Sequence, residues 1–340
     1  MTRPPPPTLA QLGERRAIAV LRRMFDRPNQ DLVVGNGDDA LVWQPRGQVV
    51  ATVDSVVQGV DWLPDLTPPE AIGHRAAAVN LSDLAAMGAA PRHLLLAVEA
   101  PPDLSAELLV RAARGLATLA DRYGCAVAGG DLGLSPGPLR LTVTALGELE
   151  GPALLRSAAR PGDAVWLIGD VGSAALGLAW LAEERRVPDC DHWAAPFVRA
   201  HLWPQPRVAE GLALQRLAQD GQRLGCIDVS DGLALDVGRI ASASRLGVVI
   251  DMILPPWPTP ALHWCADHGL VPSELCGSGG DDYALVVVTH PNLDLAGVLS
   301  GSFTVQRIGR CTVGPAGTAF VVIGGAVVAG KGYLHDGHLR

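Results

Sequence analysis

Lysine is nearly absent from this chain. Lys331 is the only one in 340 residues, so almost every cation is an arginine. A P-loop needs a lysine behind its glycine-rich turn, and pyridoxal phosphate needs a Schiff-base lysine. The setting Ala329-Gly330-Lys331-Gly332-Tyr333 suits neither. Paired cysteine motifs are also missing. Cys125, Cys190, Cys226, Cys265, Cys276 and Cys311 are scattered, which excludes zinc-ligand spacing and predicts buried free thiols in a reducing compartment. No apolar run approaches the roughly 18 residues of a membrane span. Met1–Pro7 is proline-rich and lacks the apolar core of a signal peptide, so a cytoplasmic protein is expected. With a net charge of -8 and no basic stripe interleaved with aromatics, nucleic acid is not an expected partner. If so acidic a chain grips a polyphosphate, divalent metal must supply much of the positive charge.

Hydrophobic residues make up 48% of the chain and charged ones 18%, a globular composition long enough for two cored domains. The expected division is a lead-in and helix over 1–26, a first domain over 27–150 and a second over 151–340, with the boundary near Glu150-Gly151-Pro152. Helical spacing of Leu12, Ala17, Ile18, Leu21 and Phe25 predicts an amphipathic helix from Leu9 to Phe25. Short strands are expected at 32–34, 41–43 and 49–53, then an alanine-rich helix from about Glu70. A buried strand at 93–98, a helix over 105–123, a short strand at 125–128 and a strand over 140–149 complete the first domain. In the second, strands at 164–169, 224–228, 248–251 and 284–289 alternate with helices at 173–184, 208–220 and 233–246. A proline-rich linker follows 251, and short strands with glycine turns follow 301.

Carboxylates recur at the ends of these apolar runs. Asp83 interrupts a surface suited to close helix packing, so a proton, an arginine or a cation should meet it unless it simply faces solvent. Gly35-Asn36-Gly37-Asp38-Asp39 places two carboxylates on a flexible turn, which a plain hairpin also explains. Thr52-Val53-Asp54-Ser55 closes a strand with hard oxygen donors, the type that Mg²⁺ prefers; a solvated Asp is the plain alternative. Gly129-Gly130-Asp131 follows a strand and permits close backbone approach to a phosphate. Asp228-Val229-Ser230-Asp231 sets a hydroxyl between two carboxylates, although Ser230 equally suits the cap of the next helix. If these carboxylates converge, divalent cations would relieve their repulsion, and such a site suits phosphoryl transfer between two anions.

The motifs Gly35-Asn36-Gly37-Asp38-Asp39-Ala40, Thr52–Ser55, 78–89 around Asn80-Leu81-Ser82-Asp83, Gly129–Asp131, 227–233 around Asp228, and Ser278-Gly279-Gly280-Asp281-Asp282-Tyr283 occur in the order seen in thiamine-monophosphate kinases. The run His201-Leu202-Trp203-Pro204-Gln205-Pro206-Arg207 is similar to another run of that family. The chain thus resembles that family, part of the aminoimidazole-ribonucleotide synthetase (PurM-like) superfamily. The resemblance implies a homodimer with an N-terminal mixed α/β half forming an intersubunit β-barrel and a C-terminal α/β half. It also implies ATP-dependent, Mg²⁺-dependent phosphorylation of thiamine monophosphate to thiamine diphosphate by direct in-line transfer, with several Mg²⁺ per site and no protein nucleophile. Carried over by position, Asp39, Thr52, Val53 (by its carbonyl), Asp54, Asp83, Asp131, Asp228 and Asp231 would ligate metal. Gly130, Asp131, Arg156 and Ser230 would contact ATP, Arg156 as a forked donor to phosphate.

Departures from the family pattern fall on the acceptor side. Asp61 stands where the family has His, and Asp281 where it has Glu; both are expected at the substrate. Gly330 replaces an aromatic residue, and Leu132-Gly133-Leu134 replaces a Thr-Thr-Arg-like segment. Two further readings follow: the same ATP and metal chemistry on another small acceptor, and a nucleotide-binding dimer without turnover.

Overall fold

The computed structural model describes residues 5–26, 31–299 and 303–328. Gly330 and Lys331 lie outside them. The described residues form two compact units, one holding 5–84 and Ala90–Glu150, the other Ala85–Ala89 and 151–328.

In the first unit the expected opening helix is two helices, α1 (Leu9–Leu12) and α2 (Glu14–Phe25), split at Gly13. Gly13 has φ 79°, a left-handed angle that ends the first hydrogen-bonded turn and starts the second. A hairpin of β1 (Leu32–Val34) and β2 (Val42–Trp43) follows, then β3 (Gln48–Val57), α3 (Pro69–Ala86), β4 (Ala90–Ala100), α4 (Ala106–Arg122), β5 (Ala126–Leu134) and β6 (Arg140–Leu149). The four long strands form one sheet in the order β3-β6-β4-β5, with β4 and β5 parallel and the other pairs antiparallel. One face is apolar and covered: Leu94, Leu96 and Val98 of β4 alternate with Leu141, Val143 and Ala145 of β6.

Helix α3 is buried on all sides from Ala71 to Ser82, as an alanine-rich helix without a polar face must be. It crosses α4 at backbone distance. A β-carbon on Gly73 would stand 1.7 Å from the Ala112 carbonyl oxygen, and one on Gly115 1.8 Å from that of Glu70. Arg111 clasps Glu70 at the same crossing with two hydrogen bonds of 2.7 and 2.8 Å.

The second unit contains β7 (Ala164–Ile168), α5 (Ser173–Glu184), α6 (Ala195–Leu202), α7 (Val208–Gln219), β8 (Leu224–Asp228), α8 (Leu233–Ala243) and β9 (Gly247–Met252). These lead to α9 (Thr259–Asp267), α10 (Pro272–Ser278), β10 (Leu285–Thr289), α11 (Leu295–Val298), β11 (Val305–Thr312), β12 (Thr318–Ile323) and β13 (Ala326–Val328). The expected proline-rich linker after 251 is present as the non-helical stretch 253–258, which holds Pro255, Pro256 and Pro258. Pro260 and Pro272 instead sit in the first turns of α9 and α10, where a missing N–H costs no hydrogen bond. The seven strands run β13-β12-β9-β11-β7-β10-β8. Strict alternation splits their side chains between two cores. Val165, Leu167, Ile227, Val286 and Val288 pack with Leu233, Val237 and Ile240 of α8. Trp166, Ile168, Cys226, Leu285 and Val287 pack on the other face with Leu214 of α7 and Leu295 of α11. Burial on both faces explains why these strands read as unbroken apolar runs.

Candidate active site

In the first unit the candidate residues fall into two groups, at opposite edges of one sheet. The first surrounds β3. The sequence places Asp54 at a strand end, but β3 continues to Val57 and Asp54 lies inside it, exposed. Asp83, half-buried on the last turns of α3, accepts a 2.5 Å hydrogen bond from the Thr52 hydroxyl. It is therefore partnered rather than merely solvated. Thr52 and Asp54 are two apart, so they share the face of β3 from which Thr52 reaches α3.

Val53 presents its carbonyl the other way. Gln58 N–H donates to the Leu139 carbonyl across the ladder, whereas Val57 N–H donates to the Asp61 carboxylate at 2.7 Å. Alternation then turns the backbone groups of residues 53, 55 and 57 outward, along the open edge of β3. Asp61 itself closes the turn after β3 through that bond.

The second group surrounds β5. The short strand expected at 125–128 instead runs through Gly129, Gly130 and Asp131 to Leu134. Ala128 is an extra residue against β4, since Leu94 pairs with Val127 and Leu95 with Gly129. This bulge kinks the strand just before the two glycines. Gly130 has φ 156°, and a β-carbon there would stand 1.9 Å from the Leu96 carbonyl oxygen. No other residue fits without moving β4. The Gly35–Asp39 turn is tied to the same strand, because the Asn36 amide donates to the Val127 carbonyl at 2.6 Å. Asp39 and Asp131 are both exposed. Asp131 lines a cleft together with Ile18, Leu21, Arg22, Phe25, Val98 and Leu132. The Arg22 guanidinium lies over Gly37, where a β-carbon would stand 2.2 Å from its Nη2.

The β3 and β5 groups are separated by three strand spacings, roughly 14 Å. Among the described residues no group of three or more His, Cys, Asp or Glu side chains could hold a metal ion. The four first-unit carboxylates therefore do not meet within one chain. The donor chemistry nonetheless fits a hard cation. Thr52, the Val53 carbonyl, Asp54 and Asp83 offer only oxygen, and Mg²⁺ is commonly held by one or two carboxylates with substrate phosphates completing its shell.

In the second unit, Asp228 ends β8 and is buried, and Val229, Ser230 and Asp231 form the turn into α8. Ser230 is not the helix cap; that position is Gly232, with φ 113°. Asp236 does the capping work. Its carboxylate, fully buried in the first turn of α8, accepts the Ser230 and Asp231 N–H groups at 3.1 Å each. Burial pushes this carboxyl up to about 6, against the pull of the neighbouring Arg239. Arg239 donates to Asp236 at 2.5 Å with one nitrogen and to Asp231 with another.

The Gly280–Tyr283 segment runs alongside this turn. Asp281 N–H donates to the Ser230 carbonyl and Tyr283 N–H to the Val229 carbonyl, both at 2.9 Å. A β-carbon on Gly280 would stand 2.4 Å from the Ser230 carbonyl oxygen. Asp281 takes a left-handed φ of 67° and accepts the Tyr283 hydroxyl at 2.9 Å. His201, buried at the end of α6, approaches it at 3.9 Å. Arg156 stands exposed on the short turn Arg156–Ala158 before β7.

Asp236 and Arg239 stand in no motif singled out from the sequence, and Asp282, inside the 278–283 motif, carried no assigned role. Asp282 accepts the Gly172 and Ala174 N–H groups at 2.7 and 3.1 Å, at the start of α5. The signal was present in Leu233-Ala234-Leu235-Asp236, an acid in the first turn of an apolar helix, where a carboxylate meets orphan N–H groups.

A sheet whose glycine-bearing edge strand lies beside a carboxylate-rich turn, joined in sequence to a second mixed sheet, is matched by known proteins along nearly the whole chain. Residues 37–149 match the N-terminal domain of AIR synthase related proteins, and residues 160–322 match their C-terminal domain. The fold is accordingly the two-domain PurM-like α/β fold with mixed sheets.

Thiamine-monophosphate kinase of Escherichia coli (strain K12) is 37% identical over 338 residues, spanning 93% of this chain and 97% of that one. A crystal structure of thiamine-monophosphate kinase from Stenotrophomonas maltophilia K279a is 32% identical, covers 90% of this chain and 95% of its own, and superposes with a TM-score of 0.73. The structure of AaThiL complexed with AMPPCP and TMP is 26% identical, covers 98% and 99%, and has a TM-score of 0.71. This chain belongs to the thiamine-monophosphate kinase family. The resemblance drawn from the motifs is borne out.

Proposed function

We propose that the protein transfers the terminal phosphoryl group of ATP to thiamine monophosphate, giving thiamine diphosphate, in a Mg²⁺-dependent reaction. The observation that carries this reading is the match to AaThiL, whose complex holds AMPPCP and TMP and whose fold aligns with 98% of this chain. In this proposal Asp39, Thr52, the Val53 carbonyl, Asp54, Asp83, Asp131, Asp228 and Asp231 hold the cations. Gly130, Asp131, Arg156 and Ser230 contact ATP, and Asp61 and Asp281 face the acceptor. Bound Mg²⁺ would neutralise charge on both phosphate partners. The chain itself orients them. Gly130 lets backbone approach the phosphates, Arg156 supplies a forked donor, and Asp281 places a negative charge for the cationic thiazolium ring.

The distance between the β3 and β5 groups supports a homodimer. A second copy pairing its sheet edges with these would bring Asp54 and Asp83 of one chain towards Asp131 of the other, as the intersubunit barrel of the superfamily implies. Light scattering on the purified protein should give twice the chain mass. Incubation with ATP, Mg²⁺ and thiamine monophosphate should yield thiamine diphosphate and ADP, and no diphosphate at any enzyme concentration would overturn the reading. A second reading, another small acceptor, draws support from Asp61, whose carboxylate is engaged by Val57 N–H, and from the shorter Asp281. It predicts ADP release with a different metabolite and none with thiamine monophosphate.

A further inference from the structure

We infer that Arg239 is a positioning residue that stands in for the cation at Asp231 and competes with it. The inference rests on the reading of Asp231 as a metal ligand.

The observations all lie around one turn. Asp236 is fully buried and spends one oxygen on the Ser230 and Asp231 N–H groups. Its other oxygen takes the Arg239 guanidinium at 2.5 Å, and the same guanidinium bonds the Asp231 carboxylate. Two carboxylates five residues apart thus share one fork, a geometry that a guanidinium supplies and an ammonium does not. The opposite side of the turn is held by the Asp281 N–H on the Ser230 carbonyl, so the backbone leading into Asp231 is pinned from both sides and its side chain is left to be oriented. Arg239 sets that direction. Its own side chain remains 38% exposed, so it has room to swing away while Asp236 stays put.

Two consequences oppose each other, and this makes the inference testable. Without metal, Arg239 screens Asp231 from Asp236 and holds the turn in its ligand-ready shape. With metal, the same positive charge repels the incoming cation and occupies one of the oxygens it needs. Loss of the guanidinium should therefore weaken the metal-free protein and tighten its hold on Mg²⁺. A residue that merely braces α8 would weaken both forms alike.

The test uses the full-length chain with a nonhydrolysable ATP analogue. Thermal unfolding is followed in EDTA and across a Mg²⁺ titration, for the parent, Arg239→Gln, Arg239→Lys, Asp231→Asn and the Asp231→Asn/Arg239→Gln double variant. Arg239→Gln should unfold at lower temperature in EDTA yet reach half-maximal Mg²⁺ stabilisation at about one tenth of the parent concentration, the scale of removing a like charge at contact distance. In the double variant the Mg²⁺ midpoint should equal that of Asp231→Asn alone. Arg239→Lys keeps the charge but loses the fork, and should shift the midpoint in the same direction by less. It serves as the deciding variant if the Gln form does not fold. An unchanged or higher Mg²⁺ midpoint in Arg239→Gln, or in Arg239→Lys if that variant decides, overturns the inference. A silent Asp231→Asn instead overturns the ligand assignment beneath it, and the two failures are told apart by which variant is silent.

Discussion

The two units hold their candidate residues in opposite ways. In the first, Asp39, Asp54 and Asp131 are exposed and lie on edge strands or turns, and the Thr52 hydroxyl bonds the Asp83 carboxylate across two elements. In the second, Asp231 and Asp281 are woven into the backbone: Asp236 caps the turn of one, and the chain of the other bonds the Ser230 carbonyl. The comparison teaches where function and stability separate. Carboxylates on open edges cost the fold little, whereas carboxylates that satisfy buried N–H groups are part of the fold itself.

The sharpest break of this comparison is Asp83→Asn. In a coupled assay for ADP release, turnover should fall by roughly a hundredfold to a thousandfold, the scale of losing one group that stabilises transferring charge. The amide can still accept from Thr52, so the unfolding midpoint should barely move. Equal losses of stability and turnover would show that Asp83 belongs with the structural class.

Asp236→Ala should do the reverse in proportion. It strips the acceptor from two N–H groups and leaves Arg239 with one partner, so urea unfolding should report a loss of about 3 kcal/mol, with activity falling alongside. A variant that lost activity while keeping full stability would erase the distinction between the units.

The smallest expected effect concerns Asp282. Burial pushes its carboxyl up to about 7, against the N–H groups of Gly172 and Ala174 that favour the charged form. The folded protein therefore binds this proton more tightly than the unfolded chain, where an Asp titrates near about 4. Its contribution to stability is complete below that value and is lost as pH rises through about 7. Urea midpoints measured from acid to neutral pH should decline for the parent and decline less for Asp282→Asn. Matching slopes would mean that the carboxyl is ionised throughout.

Much of the fold was legible because its signals are local. Unbroken apolar runs at 164–168 and 285–288 marked strands buried on both faces, and the alanine-rich run from Glu70 marked a helix with no polar side. The errors came where a local cue has two meanings. Gly13 breaks a helix that its spacing alone would continue, and Gly129-Gly130 continues a strand that glycines usually end. Ser230 looked like a cap, but the task fell to Asp236, six residues on.

Sequence alone determined the family, the recurrence of carboxylates in its motifs and the shortage of lysine. Those are matters of residue type and order. Tertiary structure decided that Asp54 and Asp131 stand on opposite edges of one sheet and that Arg239 bridges Asp231 to Asp236. Strand order is set by pairings between distant segments, and a guanidinium finds its partners only after those segments have packed. Neither leaves a repeat or a spacing in the chain from which it could be read.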